Sequence, residues 1–376
     1  MNCGRTVNRR SAIWWTGAAL GLLLACQGGP PERPGKVGIV ERQWSDPGRQ
    51  RWDGSGEWPL SATIWYPAQD SAAEDALSLG PPGLPVFQQG YAAAEAALLA
   101  PATRRPLVLL SHGTGGSGRD LSWLAEWLVA RGYLAAAITH HGNSIASDDL
   151  SAQGFFLFWE RPRDLALLLD HLLADPLFGP SIDPERIGAA GFSLGGNTVA
   201  LLAGGRLDTE TYYAFCQSPA AQATSCEPPP ESPFGIDDLL ALIEQDDPMV
   251  RASLLRADES HRDPRVRAAY AIAPAVIDAM PAAGAKAIGV PIRIVVGDRD
   301  ELAPADTNAR VLARDAPQAE LWVLPDVGHY TFLSRCGWAG RLVLGDLCEE
   351  QPGVDRAAIH ALIAGDAYEF FERTLP

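Results

Sequence analysis

The sequence predicts an α/β fold, a mostly parallel twisted sheet with helices on both faces. Two observations support this prediction. From residue 107 onward, short apolar runs alternate with stretches of helical length, a pattern typical of βαβ units around a buried sheet. The 376 residues are 47% hydrophobic and 20% charged, which is ordinary for a packed globular chain. We therefore expect one large domain with insertions, not a disordered or fibrous protein.

The elements follow in chain order. β-like runs at 37–44 and 60–66 should form an antiparallel edge of the sheet. The alternating part should consist of strands at 107–110, 133–138, 186–191, 266–272, 291–296 and 321–324, with helices at 121–130, 163–173, 194–203 and 355–374.

Two segments interrupt the domain, which we place at residues 37–376. Residues 68–105 are rich in Ala, Pro and Gly and contain no clear strand, so we expect a surface insertion there. Residues 206–264 combine Pro-rich loops with polar helical pieces, and we interpret them as a lid inserted after the helix at 194–203.

The amino terminus has the charge pattern of an export signal. Arg5, Arg9 and Arg10 precede an apolar run over 11–25, which is shorter than the ~20 residues that a membrane-spanning helix needs. We therefore expect residues 1–25 to be a signal peptide. The run ends in LLAC, which resembles the lipobox of bacterial lipoproteins. That resemblance implies a lipidated Cys26, a Pro- and Gly-rich tether over 26–36, and a periplasm-facing or cell-surface membrane location; cleavage to a soluble protein and a buried cysteine are the alternatives.

The net charge of −16 constrains the partners. Nucleic acids and anionic lipid head groups bind basic patches, so the sequence argues against both. We expect a small neutral or cationic ligand and a monomeric protein, with the membrane reached through the lipid anchor.

Four cysteines remain beyond Cys3 and Cys26. An oxidising compartment favours two local disulfides, Cys216 with Cys226 and Cys336 with Cys348, although four cysteines allow three pairings. Zinc is the competing interpretation. The sequence has no C-x-x-C and no histidine pair near these cysteines, which argues against zinc.

A Gly-x-Ser-x-Gly motif occupies residues 191–195, between the predicted strand at 186–191 and a helix of small residues. That context is the one a nucleophile elbow requires, in which a sharp turn projects the serine above the sheet. Ser193 is therefore the candidate nucleophile. The motif alone is weak, because a glycine-rich chain produces it by chance; its placement gives it weight.

The segment SHGTGG at 111–116 directly follows the strand at 107–110. In folds that carry a nucleophile elbow, the loop after this strand supplies half of the oxyanion hole. The backbone N–H groups of Thr114 and Leu194 are therefore the candidate donors. A phosphate-binding loop is the alternative, but no G-K-[ST] follows. We expect His112 to be structural.

An acid and a base should follow the serine in that order. Asp300 lies just past the strand at 291–296 and is the favoured acid; Asp298 and Asp278 are the alternatives. His329 lies on the loop after the last strand and is the expected base. His140 and His141 are its rivals. A Ser-His-Asp triad needs no metal or cofactor.

Four segments together resemble a known family: SHGTGGSGRDLSWLAEWLVARGY, GFSLGGN, GDRDELAP and GHYTFL. They are similar to the dienelactone-hydrolase-like and platelet-activating-factor-acetylhydrolase-like branch of the α/β-hydrolases, and also to bacterial cutinase-type polyester hydrolases. The resemblance implies the α/β-hydrolase fold and hydrolysis of carboxylic esters by Ser193. A serine peptidase of the prolyl-oligopeptidase type and a non-catalytic surface binding protein are the alternatives.

Overall fold

The computed structural model describes residues 33–100, 103–145, 150–218 and 226–376. The signal peptide at 1–25 and the lipidation of Cys26 lie outside these residues and stay predictions. The end of the expected tether is described. Arg33 forms ion pairs with Glu74 and Glu126, so the packed domain begins a few residues before position 37.

The described residues form one mixed sheet of eleven strands. The strands are β1 (Lys36–Gln50), β2 (Glu57–Ala68), β3 (Asp75–Leu79), β4 (Phe87–Ala94), β5 (Arg105–Ser111), β6 (Leu134–Thr139), β7 (Ile182–Phe192), β8 (Val266–Ile272), β9 (Ile292–Gly297), β10 (Ala319–Leu324) and β11 (Arg335–Cys336).

The strand order is β10-β9-β8-β7-β5-β6-β2-β1-β4-β11, and β3 pairs with β4. Strands β5 to β10 are parallel, and β2 runs antiparallel to both β6 and β1. The six predicted parallel strands and the antiparallel pair are therefore confirmed. Strand β5 lies between β6 and β7 in the sheet. The chain passes from β5 to β6 on one side and then crosses over to β7 on the other side. Such a switch point opens a crevice at the carboxyl ends of the strands.

The expectation that residues 68–105 contain no strand is wrong. Strands β3 and β4 both lie there, and β4 pairs in parallel with β1 at Gly38 and Ile39. The predicted antiparallel edge is consequently covered. Strand β4 has the sequence FQQGYAAA, which lacks the β-branched alternation that marks a strand. Its conformation is stabilised by its partners β1, β3 and β11 and by packing against the first helix, none of which local sequence reports.

Eleven α-helices are present in the same residues. They are α1 (Ser122–Val129), α2 (Ala152–Phe156), α3 (Arg161–Ala174), α4 (Leu194–Leu202), α5 (Thr209–Cys216), α6 (Ile236–Glu244), α7 (Pro248–Leu254), α8 (Ala282–Lys286), α9 (Ala309–Asp315), α10 (Trp338–Val343) and α11 (Arg356–Thr374). The four predicted helices are confirmed as α1, α3, α4 and α11. Helices α1 and α11 contact each other, as do α3 and α4, and both pairs pack on the sheet.

The core lies between these helices and the central strands, whose residues are almost all buried. Continuous burial of β5 to β9 explains why their sequences are apolar throughout, with no alternation. In the part of the chain that is described, none of the helices has the length and hydropathy required to cross a bilayer.

Both predicted disulfides are present. Cys216 and Cys226 close a loop at the end of α5, and Cys336 and Cys348 join β11 to the turn after α10. The segment 206–264 contains α5, α6 and α7, and α6 contacts α2. The polar helical pieces expected in this segment are therefore confirmed.

Candidate active site

Ser193 occupies a sharp turn between β7 and α4. Its backbone has φ 55° and ψ −119°, a conformation that L residues adopt only under strain. Two glycines make the turn possible. A Cβ on Gly191 would lie 2.1 Å from the carbonyl oxygen of Gly195, and a Cβ on Gly195 would lie 2.1 Å from that of Ser111. The turn has the geometry of the predicted nucleophile elbow.

Three predicted side chains meet above this turn. The Oγ of Ser193 lies 3.0 Å from Nε2 of His329, and Nδ1 of His329 lies 2.7 Å from Oδ2 of Asp300. The other carboxylate oxygen of Asp300 accepts the N–H groups of Leu302 and Ala303 at 3.1 and 2.7 Å. Those bonds hold the carboxylate facing the imidazole. All three members of the row are at least 94% buried.

The alternative acids lie elsewhere. Oδ1 of Asp298 accepts the N–H of Asp326 at 2.7 Å, so this carboxylate stabilises the turn between β9 and the loop that carries His329. Asp278 lies in the short helical turn after β8. Of the three aspartates, it is Asp300 that contacts the imidazole.

The rival base His140 belongs to a second hydrogen-bonded row. Its Nδ1 lies 2.8 Å from Oδ2 of Asp164, and its Nε2 lies 2.9 Å from Oγ of Ser111. Burial lowers the pKa of His140 to about 4, with the nearby Arg161 acting in the same sense. Ser111 is fully buried, so no substrate can reach this row. The Ser111-His140-Asp164 row contains the residue types of a catalytic triad, but its buried position indicates a structural role. His141, the other rival, packs edge-on against Trp58.

The loop after β5 lies against the nucleophile. A Cβ on Gly113 would lie 3.2 Å from the Cβ of Ser193. Thr114 follows in this loop, and Leu194 is the first residue of α4, where helix N–H groups point outward. The candidate donor Thr114 therefore directly follows a residue that lies against Ser193, and the candidate donor Leu194 directly follows Ser193 itself.

Two polar residues that the sequence did not single out hold this loop. Arg161, the first residue of α3, donates to the carbonyl oxygen of His112 at 2.7 Å. Asn143, after β6, accepts the N–H of Gly115 at 2.8 Å. A buried arginine and an asparagine look like ordinary surface residues in a sequence, and no motif marks them.

Part of the segment 206–264, residues 231–234, lies beside the site. The Tyr330 hydroxyl donates to Oε2 of Glu231 at 2.8 Å, and Phe234 meets Phe155 edge to face with ring centroids 5.2 Å apart. A Cβ on Gly115 would lie 3.7 Å from the carbonyl oxygen of Glu231. Residues 231–234 therefore lie close to the loop after β5 and to the residue next to His329.

Among the described residues, no group of three or more His, Cys, Asp and Glu side chains is arranged to hold a metal ion. The site contains the Ser-His-Asp row. This set suits nucleophilic acyl transfer.

Comparison with known proteins agrees with this fold. Residues 107–338 match the sequence model of the alpha/beta hydrolase family, and the chain therefore belongs to the α/β-hydrolase family. The chain is similar to the solved structure of a ferulic acid esterase from Streptomyces cinnamoneus, with a TM-score of 0.60 over 92% of each chain and 20% sequence identity. At that identity the similarity shows a shared fold. No curated protein matches the sequence significantly.

Proposed function

We propose that this protein is a serine hydrolase that cleaves small carboxylic esters. The observation that carries the proposal is the continuous row from Ser193 through His329 to Asp300, with contacts of 3.0 and 2.7 Å, on a strained strand-to-helix turn. A hydroxyl, an imidazole and a carboxylate in this order form the constellation of acyl transfer. The fold that the family shares supports hydrolysis in general.

In the proposed first step, the Oγ of Ser193 attacks the ester carbonyl carbon while its proton passes to Nε2 of His329. Asp300 accepts the N–H of Nδ1, fixes the tautomer and stabilises the imidazolium that forms. The carbonyl oxygen becomes an oxyanion, which the N–H groups of Thr114 and Leu194 bind. The loss of one such donor costs about 3 kcal/mol in known hydrolases.

In the second half, His329 returns the proton to the alkoxide, and the alcohol leaves from an acyl-Ser193. Water then enters, loses a proton to Nε2 and attacks the acyl carbon. Collapse of the second tetrahedral intermediate expels Ser193 Oγ, which regains the proton, and releases the carboxylic acid. Atoms balance as ester plus water giving acid plus alcohol.

The resemblance to the dienelactone-hydrolase-like and platelet-activating-factor-acetylhydrolase-like branch implies ester hydrolysis but does not specify the acyl or alcohol group. The fold shared with a ferulic acid esterase adds aromatic esters to the panel worth testing. We propose that residues 206–264 act as a lid, because Ser193 and His329 are only about 5% exposed beneath them.

The proposed location is a bacterial membrane facing the periplasm or the exterior, with Cys26 lipidated after removal of residues 1–25. The four cysteines paired in two disulfides fit an oxidising compartment. The full chain should sediment with membranes, and Cys26→Ser should release it. Equal membrane association in both proteins would contradict the lipid anchor.

The experiment that tests the activity is a panel of p-nitrophenyl esters of graded chain length together with methyl ferulate. Ser193→Ala should lower kcat by about 10⁴ to 10⁶, since the nucleophile is lost while binding remains. Ser61→Ala is the matched control, because Ser61 is a serine on β2 that pairs with Gln43. Equal turnover by wild type and Ser193→Ala would refute the assignment.

A further inference from the structure

A buried arginine holds the loop that carries one candidate oxyanion donor. The Arg161 side chain is 3% exposed. Its Nη1 donates to the carbonyl oxygen of His112 at 2.7 Å, and its Nη2 donates to Oδ1 of Asn143 at 2.8 Å and to the carbonyl oxygen of Gly113 at 3.4 Å. The same Asn143 oxygen accepts the N–H of Gly115. One guanidinium therefore holds His112 and Gly113 directly and Gly115 through Asn143.

The contact at Gly113 bears directly on Thr114. The C=O of Gly113 and the N–H of Thr114 belong to one planar peptide unit and point in opposite directions. Any group that binds the carbonyl oxygen therefore directs the N–H of Thr114 the other way. Arg161 donates to that oxygen, so the proposed oxyanion donor points away from Arg161.

His112 binds the same carbonyl oxygen. Its Nε2 lies 3.0 Å from the N–H of His140 and must accept that hydrogen. In the neutral ring the hydrogen therefore sits on Nδ1, which donates to the oxygen of Gly113 at 2.7 Å. Burial and the neighbouring Arg161 hold the pKa of His112 well below its usual range, so the ring stays neutral. With the N–H of Gly116 at 3.3 Å, three donors thus converge on the carbonyl oxygen of Gly113.

Burial of the charged Arg161 guanidinium costs desolvation free energy. Burial lowers the pKa of Arg161 to about 9, and the carboxylate of Asp164 acts in the opposite sense. The guanidinium therefore still carries its charge at neutral pH. A neutral side chain could bind a carbonyl with less desolvation, whereas a cation polarises the whole peptide unit and strengthens its N–H as a donor.

We propose that Arg161, supported by Asn143, is a positioning residue for the oxyanion hole. It fixes and polarises the peptide unit between Gly113 and Thr114 and does not touch the substrate. The inference rests on the proposed ester hydrolysis. It predicts that Arg161 acts on the tetrahedral state and leaves ground-state binding largely unchanged.

The test compares Arg161→Met and Arg161→Lys with wild type. Arg161→Met should lower kcat by about 10² to 10³ with KM changed less than about threefold, the signature of a contact that acts in the transition state. A trifluoromethyl ketone, which forms a tetrahedral adduct at the serine, should lose affinity by a similar factor. Arg161→Lys keeps a charge and one donor, so it should retain part of both properties. A purely structural role would not move kcat and analogue affinity together.

Arg105→Lys is the matched control. Arg105 also donates to two backbone carbonyls, those of Gly132 and Leu99, but at the opposite end of β5. Its kcat should match wild type. Where Arg161→Met does not fold, Asn143→Ala tests the same loop through Gly115 and should shift kcat and analogue affinity in the same direction.

The outcomes separate the two proposals. A folded Arg161→Met with wild-type kcat and analogue affinity would overturn the positioning role and leave the esterase intact. If Asn143→Ala is the variant that folds, the same result for it would count equally against the positioning role. A wild-type protein that is inert towards all esters and does not bind the ketone would overturn the proposed function itself.

Discussion

The hydroxyl of Tyr330 donates a hydrogen bond of 2.8 Å to Oε2 of Glu231, which links the residue next to His329 to the segment that we propose as a lid. Burial raises the pKa of Tyr330 above its usual range, and the carboxylate of Glu231 adds to the effect, so the phenol remains a donor. The row beneath is only about 5% exposed. The lid that we propose must move to admit a substrate, and the Tyr330–Glu231 bond opposes that motion.

We therefore predict that Tyr330→Phe favours the open state of the proposed lid. Loss of a hydrogen bond to a charged group, worth roughly 1.5 to 3 kcal/mol, should raise the rate at which a bulky fluorophosphonate labels Ser193 by about tenfold or more. Tyr66→Phe is the control, because Tyr66 donates to the carbonyl of Ala96 away from the site. Identical labelling rates for Tyr330→Phe and wild type would show that the Tyr330–Glu231 hydrogen bond does not hold the proposed lid closed.

Gly195 should tolerate no side chain. A Cβ there would lie 2.1 Å from the carbonyl oxygen of Ser111 and 2.8 Å from that of His112, and backbone atoms cannot rotate away. We expect Gly195→Ala to lower the free energy of unfolding by about 3 kcal/mol or more and to reduce turnover, measured by chemical denaturation and ester assay. Gly365→Ala provides the contrast. This glycine lies inside α11 with only a Trp127 ring carbon at 3.9 Å, and its replacement should stabilise the protein by up to about 1 kcal/mol.

Asp300 and Asp298 offer a matched pair of isosteric substitutions. Asp300→Asn removes the carboxylate that faces Nδ1 of His329, so kcat should fall by about 10⁴ because the amide favours the wrong tautomer or orientation. Asp298→Asn keeps an oxygen that can accept the N–H of Asp326, so kcat should stay within about threefold of wild type. The reverse ranking of the two kcat values would reassign the acid.

Stability should decline in acid partly because of His360. Burial lowers the pKa of this residue to about 3, with Arg356 and Arg335 acting in the same sense. In the unfolded chain the pKa lies near its ordinary value of ~6.5. The folded state therefore excludes a proton that the unfolded state binds. The stability is fully present above pH ~6.5 and is lost as the pH falls towards ~3.

His360→Gln tests this effect, since the amide can still donate to the carbonyl of Thr331. Between pH 6 and about 4, the unfolding free energy of the variant should fall less steeply than that of wild type, by about 1.4 kcal/mol per pH unit. Urea titrations at several pH values measure the slope. Above pH 7 the difference between the two proteins should be constant. Parallel curves across the whole range would show that His360 does not contribute.

The parallel sheet and the Ser-His-Asp row follow from local features of the sequence. Strands buried on both faces are apolar along their buried length, so β5 to β9 each contain a recognisable apolar run even in one sequence. The turn at Ser193 admits only glycine at 191 and 195, which leaves a readable motif. Asp300 and His329 follow two of those strands, and the carboxyl ends of parallel strands share one edge.

Other features depend on partners distant in the chain. Strand β4 has a weak local signal and is held by β1, β3 and β11. Arg161 and Asn143 hold the loop after β5 from two other elements, and Glu231 reaches Tyr330 across 99 residues. Hydrogen bonds and burial arise only when separate segments meet. The sequence therefore determined the parallel strands and the residues of the Ser-His-Asp row, whereas the packed structure decided the strand order and which polar groups hold the loop after β5 and contact Tyr330.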